Sequence, residues 1–201
     1  MKTSLSEKFK RLLKTPYLFH LHTNYTDGKS TVDDYCLWAQ KHGYKTLFFT
    51  EHVRKKLSYN FSLFLADIEK ARNKFKKLTI WAGIEVKILP GEELDMPEDL
   101  SGIEIICFAC HSFPKDERVL EEALKRAFSD EKWKRFVRVW THPSSIYRYI
   151  NKKDSSRFLK NMIMFAQSKG LFIERNKAYD IFPDKGYILG QNAHSVDGLE
   201  I

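Results

Sequence analysis

Almost every short apolar run in this chain ends in a residue that can bind a metal. His20 and His22 close the run Tyr17–His22, and His52 follows Lys45–Thr50. Glu85 sits near the end of Leu78–Val86, and His111 follows Ile103–Cys110. His142 follows Phe136–Thr141, and His194 follows the run that ends at Leu189. Six of the seven histidines obey this rule. Only His42 lies elsewhere, near a predicted helix C-terminus, where a contact with the helix dipole accounts for it.

Segments with helical spacing separate the apolar runs. The sequence predicts helices over Ser4–Lys14, Thr31–His42, Phe61–Lys77, Asp116–Phe128 and Asp154–Ser168. In the second of these Thr31 is a cap, Val32, Tyr35, Cys36 and Ala39 share one face, and Gly43 is the stop. Gly170 ends the last, and Leu171–Glu174 and Gly186–Leu189 read as the final two strands. Strand then helix, repeated about seven times, implies parallel strands joined by right-handed crossovers. The expected fold is therefore α/β, a distorted TIM-like (β/α)7 barrel spanning residues 1–201 as one domain, with residues 1–15 forming a basic N-terminal helix.

Parallel strands in a barrel all point their C-terminal ends at one rim. Six imidazoles and Glu85 then converge on one mouth. Imidazole and carboxylate are ligands of zinc, manganese and iron, so the pattern points to a multinuclear metal site. The pair His20-x-His22 adds its own geometry. Residues i and i+2 of a strand face the same way, so both rings are expected to enter the barrel.

Composition narrows the alternatives. The chain has 201 residues and is 43% hydrophobic, enough for a sizeable core. Its longest apolar run, Ile105–Cys110, is too short to cross a bilayer, so no membrane partner is expected. The basic N-terminus is not followed by a long apolar stretch, which argues against a secretory signal. Three cysteines, Cys36, Cys107 and Cys110, do not make a disulfide framework and fit a cytoplasmic protein. Cys107 and Cys110 have CxxC spacing but lie in a strand-like run, so they read as core residues.

Charge is segregated. The net charge is +8, yet residues 85–122 carry eleven acidic and three basic residues, and residues 132–160 carry nine basic and one acidic. A basic face beside a metal site suits a phosphorylated substrate.

The ordered motifs resemble the PHP (polymerase and histidinol phosphatase) domain family. They are Phe19-His20-Leu21-His22-Thr23, Thr26-Asp27-Gly28-Lys29-Ser30, Thr50-Glu51-His52, Gly83-Ile84-Glu85, His111, Thr141-His142-Pro143 and Leu189-Gly190-Gln191-Asn192-Ala193-His194-Ser195. The resemblance implies a distorted seven-stranded barrel with two or three divalent ions, zinc, manganese or iron. By motif position His20, His22, Glu85 and Asn192 would hold one ion. Glu85 would bridge to a second, held by His111 and His142. Asp27, His52 and His194 would hold a third. Glu85, Asp27 and His194 are expected to carry the catalytic roles. The family usually has Asp where Asn192 stands and often Asp where Glu51 stands. Glu51 is not expected to be a direct ligand, whereas Asn192 removes a charge from the first subsite.

This chemistry suits a metal-dependent phosphoesterase acting on a small phosphate monoester, of the histidinol phosphate kind or another phosphorylated metabolite. Arg54, Arg175, Lys87 and Ser195 follow the metal-ligating positions or strand ends and are candidate phosphate donors, with Lys29 a further one. Tyr25 reads as a packing residue or a stacking surface for an organic leaving group. Three alternatives carry over: a nuclease or phosphodiesterase at nucleic acid ends, using the basic block with Trp133, Tyr147, Tyr149 and Phe158; an amidohydrolase-type enzyme; and a non-catalytic metal-binding module.

Overall fold

The structure is a computed structural model that describes residues 3–91, 94–150, 155–176 and 186–199. Seven strands form one sheet: β1 (Tyr17–Leu21), β2 (Thr46–His52), β3 (Thr79–Lys87), β4 (Ile105–Ala109), β5 (Val137–Trp140), β6 (Phe172–Asn176) and β7 (Tyr187–Gly190). They lie in chain order and every adjacent pair is parallel. The segment after β7 returns to β1 and nearly closes the barrel. Gln191 N donates to Phe19 O at 2.9 Å, Ala193 N to His20 O at 3.0 Å, and His22 N to Ala193 O at 2.9 Å. The result is a distorted TIM-like barrel, as the alternation predicts.

Five α-helices accompany the strands: α1 (Leu5–Leu12), α2 (Val32–Lys41), α3 (Phe61–Lys74), α4 (Glu117–Ser129) and α5 (Ser155–Ser168). Their starts are set by local chemistry. Ser4 with Glu7 and Thr31 with Asp34 form reciprocal capping boxes, and the Asn60 and Asp116 side chains accept from the first-turn N–H groups. The predicted last helix began at Asp154, which lies outside the described residues.

The alternation fails between β3 and β4. Among the described residues of 88–104 there is no helix. Pro90, Gly91 and Pro97 break that stretch, and it lacks an apolar helical stripe. It is fastened instead by Asp95, whose N–H donates to Lys87 O at 3.0 Å and whose carboxylate accepts from Lys55 N at 2.7 Å. Shorter 3-10 turns occupy Glu131–Arg135 and Pro143–Arg148.

Strand alternation sorts the apolar side chains into two layers. Leu47, Phe49, Ala82, Ile84, Ile106, Phe108 and Trp140 face the helices. Phe19, Phe48, Trp81, Ile105, Cys107, Val137, Val139 and Ile188 fill the barrel, joined by Phe9 from α1. Phe9 stops the end of the barrel opposite the histidines. Its ring centroid lies 5.0 Å from Phe48, 4.9 Å from Phe172 and 6.0 Å from Trp81. The N-terminal helix is thus a plug as well as a basic surface. The same alternation places Cys107 inside the barrel and Cys110 in the outer layer, so the CxxC pair is divided between two cores. Among the described residues no helix is long and apolar enough to cross a membrane.

Phe9→Ala is expected to leave the rim intact and to cost about 3–5 kcal/mol of stability, the usual penalty for emptying an aromatic site. Urea unfolding monitored by circular dichroism checks this, and a loss below about 1 kcal/mol would show that the barrel floor closes without the plug.

Candidate metal centre

The inward turn of the first histidine depends on a bulge. In β1 the register passes from Phe19↔Phe48 to Leu21↔Phe49, leaving His20 as an extra residue. His20 has φ 68°, a left-handed backbone that non-glycine residues seldom adopt. Phe19 already points into the barrel and Leu21 packs in the outer layer. Regular alternation after Phe19 would therefore send His20 and His22 outward. The extra residue lets Phe19, His20 and His22 all enter the barrel. The expected convergence is present, but a bulge produces it rather than the i, i+2 rule.

Glu85 stands at the centre. It is fully buried near the end of β3, level with His52 in the β2–β3 register. Its Oε1 lies 2.8 Å from His142 Nε2 and 3.3 Å from His20 Nε2, and accepts from Thr141 Oγ1 at 3.0 Å. Its Oε2 lies 2.9 Å from His52 Nδ1, 3.6 Å from His111 Nε2 and 3.9 Å from His22 Nε2. Five imidazoles thus surround one carboxylate. Burial pushes the Glu85 carboxyl upward, but the His20 and His142 charges and the histidine hydrogen bonds outweigh it and hold the group well below its usual range.

The ligand atoms fall into three overlapping sets, each within 4.8 Å: His20, His22 and Glu85; His52, Glu85 and His111; and His22, Asp27, His52 and His194. Asp27 Oδ2 lies 3.4 Å from both His52 Nε2 and His194 Nε2. His22 tests whether a cation fits. Both of its ring nitrogens are buried with no hydrogen-bond partner among the described residues. Burial, with His20, His52 and His194 nearby, holds its pKa well below the usual imidazole value, so it is a neutral ring with a free lone pair. A buried acceptor of this kind is costly unless something takes the lone pair, and a divalent ion does so. The donor set suits zinc, manganese or iron.

Asn192 lies on the same mouth. It lines a cavity of about 580 Å³ together with Asp27, His52, Glu85, His111, His142 and His194. Its φ is 47°, and its backbone oxygen accepts from His194 Nδ1 at 3.1 Å.

The loop bearing Asp27 is held from below by Glu51. This buried carboxylate accepts from Thr23 N at 2.6 Å and from Thr26 Oγ1. Glu51 therefore supports the centre without entering any of the three ligand sets. Gly28 N–H donates to Thr23 O at 3.0 Å, and a Cβ at Gly28 would stand 2.5 Å from the His22 carbonyl oxygen. The turn needs glycine because backbone occupies the side-chain position.

The predicted phosphate donors divide. Arg54 lines the cavity, with Nη1 donating to Val53 O at 2.6 Å and Nε 3.6 Å from Asp95 Oδ2. Arg175 follows inward-facing Glu174, so alternation turns it to the outer face. There its Nη1 donates to Tyr187 Oη at 3.1 Å and the guanidinium sits 5.0 Å over the Tyr187 ring. Ser195 caps the short turn Val196–Gly198, and Lys87 and Ser195 are not among the described residues lining the cavity. Lys29 is exposed and joins His194 only through its backbone. Tyr25 donates to Asp67 Oδ2 at 2.6 Å and packs on Phe64, which is the packing role. His42 stacks on Trp38, away from the centre.

Sequence reasoning missed Glu174 and the wall formed by Leu57, Ser58 and Tyr59. Glu174 is fully buried, with Oε1 2.7 Å from His20 Nδ1. Its signal was visible: it closes the apolar run Leu171–Glu174, as Glu85 and the histidines close theirs. The wall residues have no local signal beyond lying on the loop after His52.

The family model described as PHP domain matches residues 19–181. DNA polymerase/3′-5′ exonuclease PolX from Bacillus subtilis (strain 168) is 25% identical over 133 residues, covering 62% of this chain. The match spans only 23% of that relative's length. Among solved structures, histidinol phosphate phosphatase (HisK) from Lactococcus lactis subsp. lactis Il1403, complexed with zinc, L-histidinol and phosphate, aligns with a TM-score of 0.65 at 18% identity. That alignment covers 90% of this chain and 87% of the other, and it shows a shared fold.

Gly28→Ala is expected to push the Asp27 loop off the His22 backbone at a cost of about 1–3 kcal/mol, the range for overpacking. Zinc titration should then show a weakened subsite at Asp27, His52 and His194. Unchanged binding would mean that the loop does not position Asp27.

Proposed function

The chain belongs to the PHP domain family, and from that premise we propose that it is a metal-dependent phosphoesterase that hydrolyses a small phosphate monoester. The observation that carries this reading is the buried Glu85 carboxylate with five imidazoles around it, one of them, His22, lacking any hydrogen-bond partner. Such a donor set would suit more than one divalent cation, and clustered cations are what metal-assisted phosphoryl transfer to water uses.

His20, His22, Glu85 and Asn192 would hold one ion, Glu85, His111 and His142 a second, and Asp27, His52 and His194 a third. The His52–Glu85–His111 cluster supports a variant in which His52 shares the second. When bound, the ions, zinc, manganese or iron, supply positive charge to the phosphoryl oxygens and acidify water near neutral pH. Glu85 keeps the surrounding imidazoles in register. Asp27 is more than half exposed at the mouth, beside His194, so these two catalytic ligands would hold their ion where solvent and the phosphate reach it. Arg54 offers the guanidinium fork to the phosphate. Leu57 and Tyr59 give the leaving group a partly apolar wall, and the cavity volume suits a metabolite. The solved relative that holds L-histidinol and phosphate supports a substrate of that class. Three free cysteines, all buried, support a reducing, cytoplasmic setting.

A phosphodiester at a nucleic acid end is the second reading. It is favoured by the name of the exonuclease relative and by Lys132 stacked over Trp133 at 4.5 Å in the basic block. The two are separated by substrate: p-nitrophenyl phosphate and histidinol phosphate against a labelled single-stranded oligonucleotide.

The test is metal content by elemental analysis with monoester hydrolysis on the same sample. We expect two or three ions per chain, activity lost to chelator, and recovery with Mn²⁺ or Zn²⁺. Glu85→Gln should remove most bound metal and at least about 100-fold of the activity, as loss of a charged ligand in a low-dielectric site does. Arg54→Ala should raise KM more than it lowers kcat. Bound metal with no turnover of any phosphate ester would overturn the proposal in favour of a binding module.

A further inference from the structure

Glu174 is a fully buried carboxylate in the middle of β6. A buried carboxylate is tolerated only with partners, and both of its oxygens have one. Oε1 lies 2.7 Å from His20 Nδ1, and Oε2 accepts the backbone N–H of His142 at 2.6 Å. His20 has φ 68° and His142 has φ 30°, while the only other non-glycine residue with positive φ among those described is Asn192. Left-handed backbone is costly at such residues and persists only where the surroundings over-determine it. One side chain on β6 therefore bonds to two strained residues on different strands.

Each bond has a consequence at the metal centre. With Nδ1 engaged by Glu174, His20 presents Nε2 toward Glu85 at 3.3 Å. With its backbone tied to the same carboxylate, His142 brings Nε2 to 2.8 Å from Glu85 Oε1. This backbone bond is made where the chain leaves β5 and enters the turn Pro143–Arg148. The barrel makes room for this carboxylate. A Cβ at Gly190, on neighbouring β7, would stand 1.6 Å from Glu174 Oε1.

We propose that Glu174 is a positioning residue that sets the ligand geometry of both His20 and His142, and that Gly190 is required to admit its carboxylate. The role rests on the metal-dependent reading above, whereas the hydrogen bonds can be tested without metal. A carboxylate behind a ligating imidazole fixes its tautomer and ring orientation and raises its basicity, and losing it weakens metal binding about 10- to 100-fold.

Glu174→Gln keeps the size but turns one oxygen into a donor, so it cannot accept from both His20 Nδ1–H and His142 N–H, and holding the ring would need the tautomer that protonates Nε2 and spoils it as a ligand. Gly190→Ala leaves Glu174 in place and evicts its carboxylate. Competition against a chromogenic chelator should show zinc affinity reduced about 10- to 100-fold in both variants. Glu174→Asp, one methylene shorter, should not restore wild-type affinity. In the metal-free wild type, ¹⁵N-histidine NMR should show a protonated, hydrogen-bonded His20 Nδ1 whose signal moves in Glu174→Gln. The proposal is overturned if both variants bind zinc like the wild type, or if His20 Nδ1 carries no proton. Should the variants fail to fold, the wild-type spectrum alone decides. Should the wild type bind no zinc, the phosphoesterase reading falls and the spectrum still decides whether Glu174 holds His20.

Discussion

The most demanding interaction in this molecule is the burial of the Glu85 carboxylate at the centre of a parallel barrel. Taking an ion of this size out of water costs several kcal/mol even after relaxation, on the order of what a whole domain has to spare. The rim offsets that cost by delivering an imidazole from each of several strands. It can do so because seven parallel strands in chain order bring every C-terminal end to one face. Without ions, the nearest compensation is a proton. Burial disfavours the His20 imidazolium, but Glu174 and Glu85 on its two sides outweigh it and hold its pKa up, to about 10. His22, surrounded by other imidazoles, is driven the other way. Neighbouring rings pushed in opposite directions beside one carboxylate show how closely each ring's charge is set by what surrounds it.

That demand explains where the backbone is strained. His20, His142 and Asn192 are the non-glycine left-handed residues described, and all three stand at the centre. A regular β1 would have placed His20 in the outer layer with Leu18. The bulge converts an apolar strand into a ligand-bearing one without moving Phe19 from the barrel floor. The opposite end of the barrel carries no such strain. It is filled by aromatic side chains and closed by Phe9, so packing there supplies stability while the rim holds the chemistry.

Much of this was legible because two periodicities rarely mislead over long segments. Alternation of apolar runs with helical stripes gave the parallel barrel, and Thr31 and Asp116 marked helix starts to within a residue. The convergence of His20, His22, His52, Glu85, His111, His142 and His194 followed from their places at strand ends. What was not legible depends on parity. Whether a residue at a strand end points in or out turns on a single inserted residue or on one step of alternation. The bulge at His20 was therefore missed, and Arg175 was expected at the mouth although its neighbour Glu174 takes the inward position. The CxxC pair shows the same parity, split between inner and outer cores. The stretch after β3 is one where the repeat implies a helix and the described residues form none. Its prolines and lack of an apolar stripe decide the matter locally.

Asn192 is the point where backbone and charge requirements separate. Its left-handed φ is one that asparagine and aspartate both tolerate better than other side chains, because their short polar groups hydrogen-bond locally. An Asn in place of the Asp usual in the resembling pattern is therefore compatible with the same turn, and what it changes is the charge at the mouth that it lines. The carboxylates near the His20 and His22 rings are Glu85, shared with three other imidazoles, Asp27, which shares a ligand set with His22, and Glu174, which reaches the centre through His20 Nδ1. The negative charge beside those two rings thus comes from β3, from β6 and from the loop after β1, and none of it depends on position 192.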